Sequence, residues 1–190
     1  MNTLHKIFSK LTDIRTIYDV CSIGKTLIFQ HILRKKTKWN ISYIRANWKN
    51  DFDINKIKKI PNKKNRWFAD PFVVKHAKFH YIFFEDYSLK KKKGSISCVK
   101  IDQKNKTKYY NEIIKENFHL SFPFIFKFNK NFFMAPESSE NNSIRLYKCI
   151  KFPNKWKFFK KIITGVNCVD PVIFKWKNKW VLIASKAKNE

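Results

Sequence analysis

Three stretches decide the fold: DPFVVKHAKFHYIFFE (residues 70–85), FPFIFKFNKNFFMAPE (122–137) and DPVIFKWKNKWVLIAS (170–185). They align without a gap. Their prolines, Pro71, Pro123 and Pro171, lie 52 and 48 residues apart. Each stretch is a proline, an apolar run, a short polar turn and a second apolar run. Runs of this length, rich in β-branched and aromatic residues, read as strands. Asn and Lys fill two of the turns, Phe128-Asn-Lys-Asn and Trp176-Lys-Asn-Lys. Asn tolerates the left-handed backbone that tight hairpins need, and here it replaces scarce glycine.

Two more strands fit between successive units. They are Ser95–Ile101 and Lys108–Ile114 after the first, then Ser143–Ile150 and Trp156–Ile163 after the second. Polar turns at 102–106 and 151–155 split each pair. Four strands in about 50 residues is the unit of a β-propeller blade. A β-sandwich would not repeat in sequence at this period. Chance similarity within a biased composition is the competing reading, and the shared register and prolines argue against it. Blades are expected at about 70–115 and 122–164, with a half blade at 170–185. Residues 39–48 (WNISYIRANW) read as one further strand, a candidate closing strand for the last blade. A closed propeller needs at least four blades. The expectation is therefore an all-β, partial (truncated) propeller domain over 39–190, with open strand edges.

The chain has 190 residues, 44% hydrophobic and 29% charged, which excludes collagen-like and disordered acidic classes. With only 3 glycines it contains no glycine-rich phosphate loop. Lys plus Arg total 41 against 14 Asp plus Glu, a net charge of +27. Such a charge attracts polyanions and anionic lipid. The lysines are dispersed, however, and no nucleic-acid-binding motif accompanies them, so no specific nucleic-acid partner is expected.

Residues 1–38 are read as a separate amphipathic helical segment. Leu4, Ile7, Phe8, Leu11, Ile14, Ile17, Tyr18 and Cys21 follow helical spacing. Arg34, Lys35 and Lys36 follow this segment. Two readings stay open: a helix on a membrane surface through residues 4–33, or a helix packed on the domain or a partner. No apolar run reaches the roughly 18 residues of a spanning helix. Cys21, Cys98, Cys149 and Cys168 form no metal-ligand spacing. The last three fall in or beside strand-like runs, where buried free thiols are common. A reduced, cytoplasmic chain without metal or cofactor is the expectation, peripheral at the membrane if the helix lies there.

Acids recur at equivalent repeat positions. Asp70 and Asp170 start the first and third units; Glu85 and Glu137 end the first and second. The first strands of blades line one axis, so these carboxylates are expected to converge. Paired carboxylates, one protonated and one ionised, are what glycosidic-bond chemistry requires. Asp before Pro is also a common turn device, which is the competing reading. His119 and Ser121 precede the second proline and fall near the same mouth. Trp67, Phe68 and Trp176 are candidates to stack on sugar rings, or to pack in a core.

Several segments carry a family resemblance. They are Trp67-Phe-Ala-Asp-Pro-Phe, Tyr81-Ile-Phe-Phe-Glu-Asp, Gly94-Ser-Ile-Ser and His119-Leu-Ser-Phe-Pro-Phe. Met134-Ala-Pro-Glu-Ser, Leu146-Tyr-Lys, Phe152-Pro-Asn-Lys-Trp and Val169-Asp-Pro continue the series in order. Over 39–185 the chain resembles the N-terminal domain of the glucosamine inositolphosphorylceramide transferase family, a five-bladed propeller related to arabinanase- and xylosidase-type glycoside hydrolases. The resemblance implies a carbohydrate-active domain in glycoconjugate or surface-polysaccharide synthesis, with a carbohydrate or glycolipid substrate. It implies glycosyl transfer or glycosidic-bond hydrolysis, or a non-catalytic glycan-binding scaffold for a separate glycosyltransferase. By similarity to the hydrolases, Asp70 matches the general base, Glu137 is the acid candidate and Asp170 positions or modulates. Trp67, Glu85, His119 and Ser121 are the expected substrate-binding residues. The last blades of the family pattern are expected from a partner chain or from further C-terminal sequence.

Overall fold

The computed structural model describes residues 38–47, 49 and 52–186. The predicted N-terminal helix and Cys21 lie outside the described residues. Those that are described fall almost wholly in a compact unit beginning at Trp39. The unit is all-β.

Strands β3 (Arg66–His76), β4 (Phe79–Ser88), β5 (Lys93–Ile101) and β6 (Thr107–Ile114) form one antiparallel sheet in chain order. Strands β7 (Ser121–Phe128), β8 (Asn131–Glu137), β9 (Ser143–Lys151) and β10 (Lys155–Thr164) form a second. A hairpin of β11 (Cys168–Trp176) and β12 (Lys179–Lys186) starts a third. These match the expected strands to within a few residues at each end.

The 39–48 expectation fails in part. Among the described residues of that stretch only β1 (Ser42–Tyr43) is a strand, and it pairs with β2 (Lys58–Lys59), not with the third sheet. The reason is local. Ile41 and Ile60 are buried side by side, joined by Ile60 N–H to Ile41 C=O at 3.0 Å, and pack onto the first sheet. Beyond Tyr43 the strand β2 offers no further partner: Ile44 stays half-buried outside any ladder, and Arg45 donates to the Asp102 carbonyl.

Turn chemistry sets the hairpins. Asn129 and Lys130 have φ of 45° and 64°, and Lys177 and Asn178 have 41° and 64°. Two consecutive positive φ values define the type I′ turn, whose twist suits a two-residue hairpin. A second device recurs at the X-Pro steps. Asp70, Phe122 and Asp170 all have positive φ (50°, 43°, 53°). Strand pairing slips there each time, between Ala69 and Phe72, Ser121 and Phe124, and Val169 and Val172. Each is a β-bulge, and a bulge tolerates proline because no ladder hydrogen bond is needed at that point.

Strand β4 is buried on both faces. Tyr81 and Phe83 join Ile96, Cys98, Leu120, Met134 and Tyr147 between the first and second sheets. Ile82 and Phe84 pack with Phe68, Val99, Ile41 and Ile60 on the other side. The second sheet meets the hairpin through Phe133, Ala135, Leu146 and Ile173. The first strands of the three sheets, β3, β7 and β11, lie next to one another. That adjacency brings the three bulges together.

Candidate carboxylate site

A bulge frees a backbone N–H from the ladder, and here carboxylates collect two of them. The Phe122 N–H donates to Asp70 Oδ2 at 3.2 Å. The Asp170 N–H donates to Glu137 Oε2 at 3.2 Å. Each acid of one sheet therefore holds the bulge of the next. Glu137 Oε1 accepts from Ser139 Oγ at 2.9 Å, so both its oxygens are engaged.

Glu85 sits opposite Ala69, one residue before Asp70, and is only 4% exposed. Its Oε1 is buried without a hydrogen bond. The nearest donor is His119 Nε2 at 3.4 Å, within ion-pair reach but long for a hydrogen bond. Gly94 packs tightly against this pair. A Cβ there would lie 2.4 Å from the Leu120 carbonyl, 2.8 Å from Glu85 Oε1 and 2.9 Å from His119 Cε1. The Gly94 N–H donates to His119 Nδ1 at 3.0 Å. The backbone N–H of His119 donates to Glu140.

Burial sets the protonation states. It pushes the Glu85 carboxyl up to about 8, helped by the nearby charges of Asp70, Glu137 and Asp86. Glu137 is also raised by burial and by Asp170 and Asp70, against the pull of its two hydrogen bonds. Burial lowers His119, which Glu140 and Asp70 partly oppose.

The structure thus brings Asp70, Glu85, His119, Glu137 and Asp170 together. Ser121 is buried opposite Glu137 in the pairing of β7 with β8. Trp67 stacks on Tyr87 at 4.4 Å, and Tyr87 lies 5.9 Å from His119, so Trp67 flanks the cluster through one intervening ring. Phe68 is in the core against Phe84. Trp176 is exposed at the far end of β11 from Asp170, in the hairpin tip.

Asp86 adjoins Glu85 and adds its charge to the surroundings, but its side chain does not join the cluster. Successive strand residues face opposite ways. Asp86 turns to Arg66 and Ser97, and Arg66 also pairs with Glu112 at 3.0 Å. Gly94, Tyr87, Ser139 and Glu140 were not among the expected site residues. Gly94 follows Lys90–Lys93, just outside the strand expected from Ser95, so its close approach to His119 left no mark in the sequence. Among the described residues no group of three or more His, Cys, Asp or Glu side chains could hold a metal ion. Cys98 and Cys168 are buried free thiols and Cys149 is half-buried.

Comparison with known proteins settles the lineage. The family model "Glucosamine inositolphosphorylceramide transferase 1, N-terminal" matches residues 54–190. The chain belongs to this family. A glucosamine inositolphosphorylceramide transferase 1 of Arabidopsis thaliana is 34% identical over 122 residues, 64% of this chain and 16% of that protein. Its counterpart in Oryza sativa subsp. indica is 30% identical over 118 residues, 62% of this chain and again 16% of the relative. The match therefore spans about one sixth of the length of these relatives. Among solved structures, the GH32 beta-fructofuranosidase BmSUC1 of Bombyx mori aligns with a TM-score of 0.58 and 15% identity, over 71% of this chain and 32% of the enzyme. A mutant of that enzyme in complex with sucrose aligns at 0.50 and 12% identity, over 77% and 39%. At these identities the likeness is one of fold: an all-β, propeller-like stacking of four-stranded sheets.

Proposed function

We propose that this unit is a carbohydrate-active part of a five-bladed propeller that serves glycoconjugate synthesis, making or breaking a glycosidic bond with its carboxylates. One observation carries the reading. Acids from successive repeats, Asp70, Glu85, Glu137 and Asp170, converge at adjacent bulges in a chain with only 14 acids in 190 residues. Asp70, held by the Phe122 N–H, is the base. A carboxyl kept neutral by burial is the acid, and Asp170 positions the site. Trp67, His119 and Ser121 flank the sugar. The family supports a glycolipid or carbohydrate substrate.

The test is a sugar-transfer and hydrolysis assay on the wild type, Asp70→Asn and Glu137→Gln. Losing one member of an acid–base pair costs about 10²–10⁴-fold. Unchanged turnover in both variants would remove the catalytic reading. A second reading, a non-catalytic glycan-binding or scaffold module for a separate glycosyltransferase, has one observation in its favour. The relatives' named activity belongs to proteins of which this chain matches 16%. Saturable oligosaccharide binding without turnover would favour it.

A further inference from the structure

We propose that Glu85 and His119 act as one unit in which Glu85 is the proton donor of the carboxylate site, while Glu137 is a positioning residue. The inference rests on the glycosyl reading above and assigns its acid to a different residue from the one expected from sequence.

Three observations carry it. First, the two raised carboxyls differ in their partners. Glu137 accepts a hydrogen bond on each oxygen, from Ser139 and from the Asp170 N–H. A carboxyl held that way is used as an acceptor. Glu85 has an orphaned, fully buried Oε1. Second, the tautomer of His119 follows from Gly94. Its Nδ1 accepts the Gly94 N–H, so the neutral ring carries its proton on Nε2. That Nε2–H faces Glu85 Oε1 at 3.4 Å. Oε1 is thus the acceptor side of Glu85, and the carboxyl proton is left to Oε2. Hydrogen bonds of this kind are often long before a substrate tightens the site. Third, Gly94 is packed against both groups. No side chain larger than hydrogen fits at position 94 beside both groups.

The charged groups around Glu85 act together. Asp70 on β3, Glu137 on β8 and Asp86 on its own strand all favour its neutral form, and burial does so most. His119, from the segment between the sheets, is itself held neutral by burial. In the reaction, the bond from the sugar's anomeric carbon to the departing oxygen breaks, and that oxygen takes the Glu85 proton. The incoming hydroxyl or water forms the new bond to the same carbon and gives its proton to Asp70. One bond breaks and one forms. Solvent then returns a proton to Glu85 as Asp70 loses its own.

The deciding experiment is a carbon-13 NMR pH titration of the glutamate carboxyls in the full chain. The Glu85 and Glu137 resonances are those lost in Glu85→Gln and Glu137→Gln. The first exchange replaces one neutral group with another of the same shape and should leave the fold intact. Glu85 should titrate near 8, above Glu137, and His119→Leu should raise it further by removing the Nε2–H. A Glu85 midpoint in the ordinary carboxylate range, below that of Glu137, or unmoved by His119→Leu, overturns the proposal. A kinetic arm uses phenyl and 2,4-dinitrophenyl glycosides. Glu85→Gln should lose the phenyl series, which needs a proton on the leaving oxygen, and keep the dinitrophenyl series, which does not. Equal loss of both overturns the donor role. Failure of the wild type on every glycoside and every activated sugar donor overturns the glycosyl reading and the donor role with it, while the titration still reports the protonated pair.

Discussion

Glu85 offers the most direct handle at the scale of a residue. A carboxyl raised to about 8 in the fold but ordinary when unfolded binds its proton more tightly in the native state. Its contribution to stability is complete below about pH 4.5 and is lost as pH rises to about 8. Over that window stability should fall by up to about 1.4 kcal/mol per pH unit from this group. His119, held neutral, works in the opposite direction, so the comparison with Glu85→Gln isolates the carboxyl. Thermal unfolding from pH 5 to 8 should show the wild type losing stability relative to Glu85→Gln. Parallel curves would mean that Glu85 is not raised. Gly94→Ala should destabilise by about 1–3 kcal/mol, the usual cost of overpacking, because its Cβ would press on the Leu120 carbonyl, which is backbone and has little room to move. Denaturant titration reads that directly.

At the scale of the element, the repeat was legible because one device writes it three times. A bulge at an X-Pro step leaves a proline at a constant place, and two of the three hairpin turns leave Asn and Lys at a constant offset from it. The carboxylates were legible for the same reason, since Asp70 and Asp170 occupy the bulge itself. What lay hidden was non-local. That Glu137 holds the Asp170 N–H, and that Gly94 pins His119, depends on neighbours 33 and 25 residues away. Residues 39–48 misled for a related reason. Tyr43 and Ile41 look like strand residues, but a strand needs a partner, and β2 offers only two residues. Burial in β4 makes its own prediction. Phe83 is fully buried between the sheets, so Phe83→Ala should cost about 3–5 kcal/mol. Val73 is 62% exposed on β3, and Val73→Thr should stay within about 0.5 kcal/mol. Equal effects at the two sites would contradict the packing described.

For the whole molecule, charge and site are distributed separately. The hairpin tips at 72–82, 124–134 and 172–184 carry lysines and no acid, while the acids gather at the opposite ends of the same strands. A chain of +27 should adhere to DNA, and that adhesion should weaken steeply between 50 and 500 mM salt through counterion release. Binding of a neutral sugar at the carboxylates releases no such counterions and should hold across the same range. Titrations with DNA and with a neutral oligosaccharide at both salt concentrations would separate the two. A sugar affinity that collapsed with salt would point to adhesion, not to a site.

The measurement that bears most directly on the account is turnover of a panel of glycosides and activated sugar donors by the wild type and Asp70→Asn. Asp70 makes the bulge-to-bulge hydrogen bond and stands beside Glu85, so it is the residue the chemistry can least do without. The wild type should show measurable transfer or hydrolysis, and the variant should lose about 10²-fold or more. Equal rates in the two proteins would contradict it.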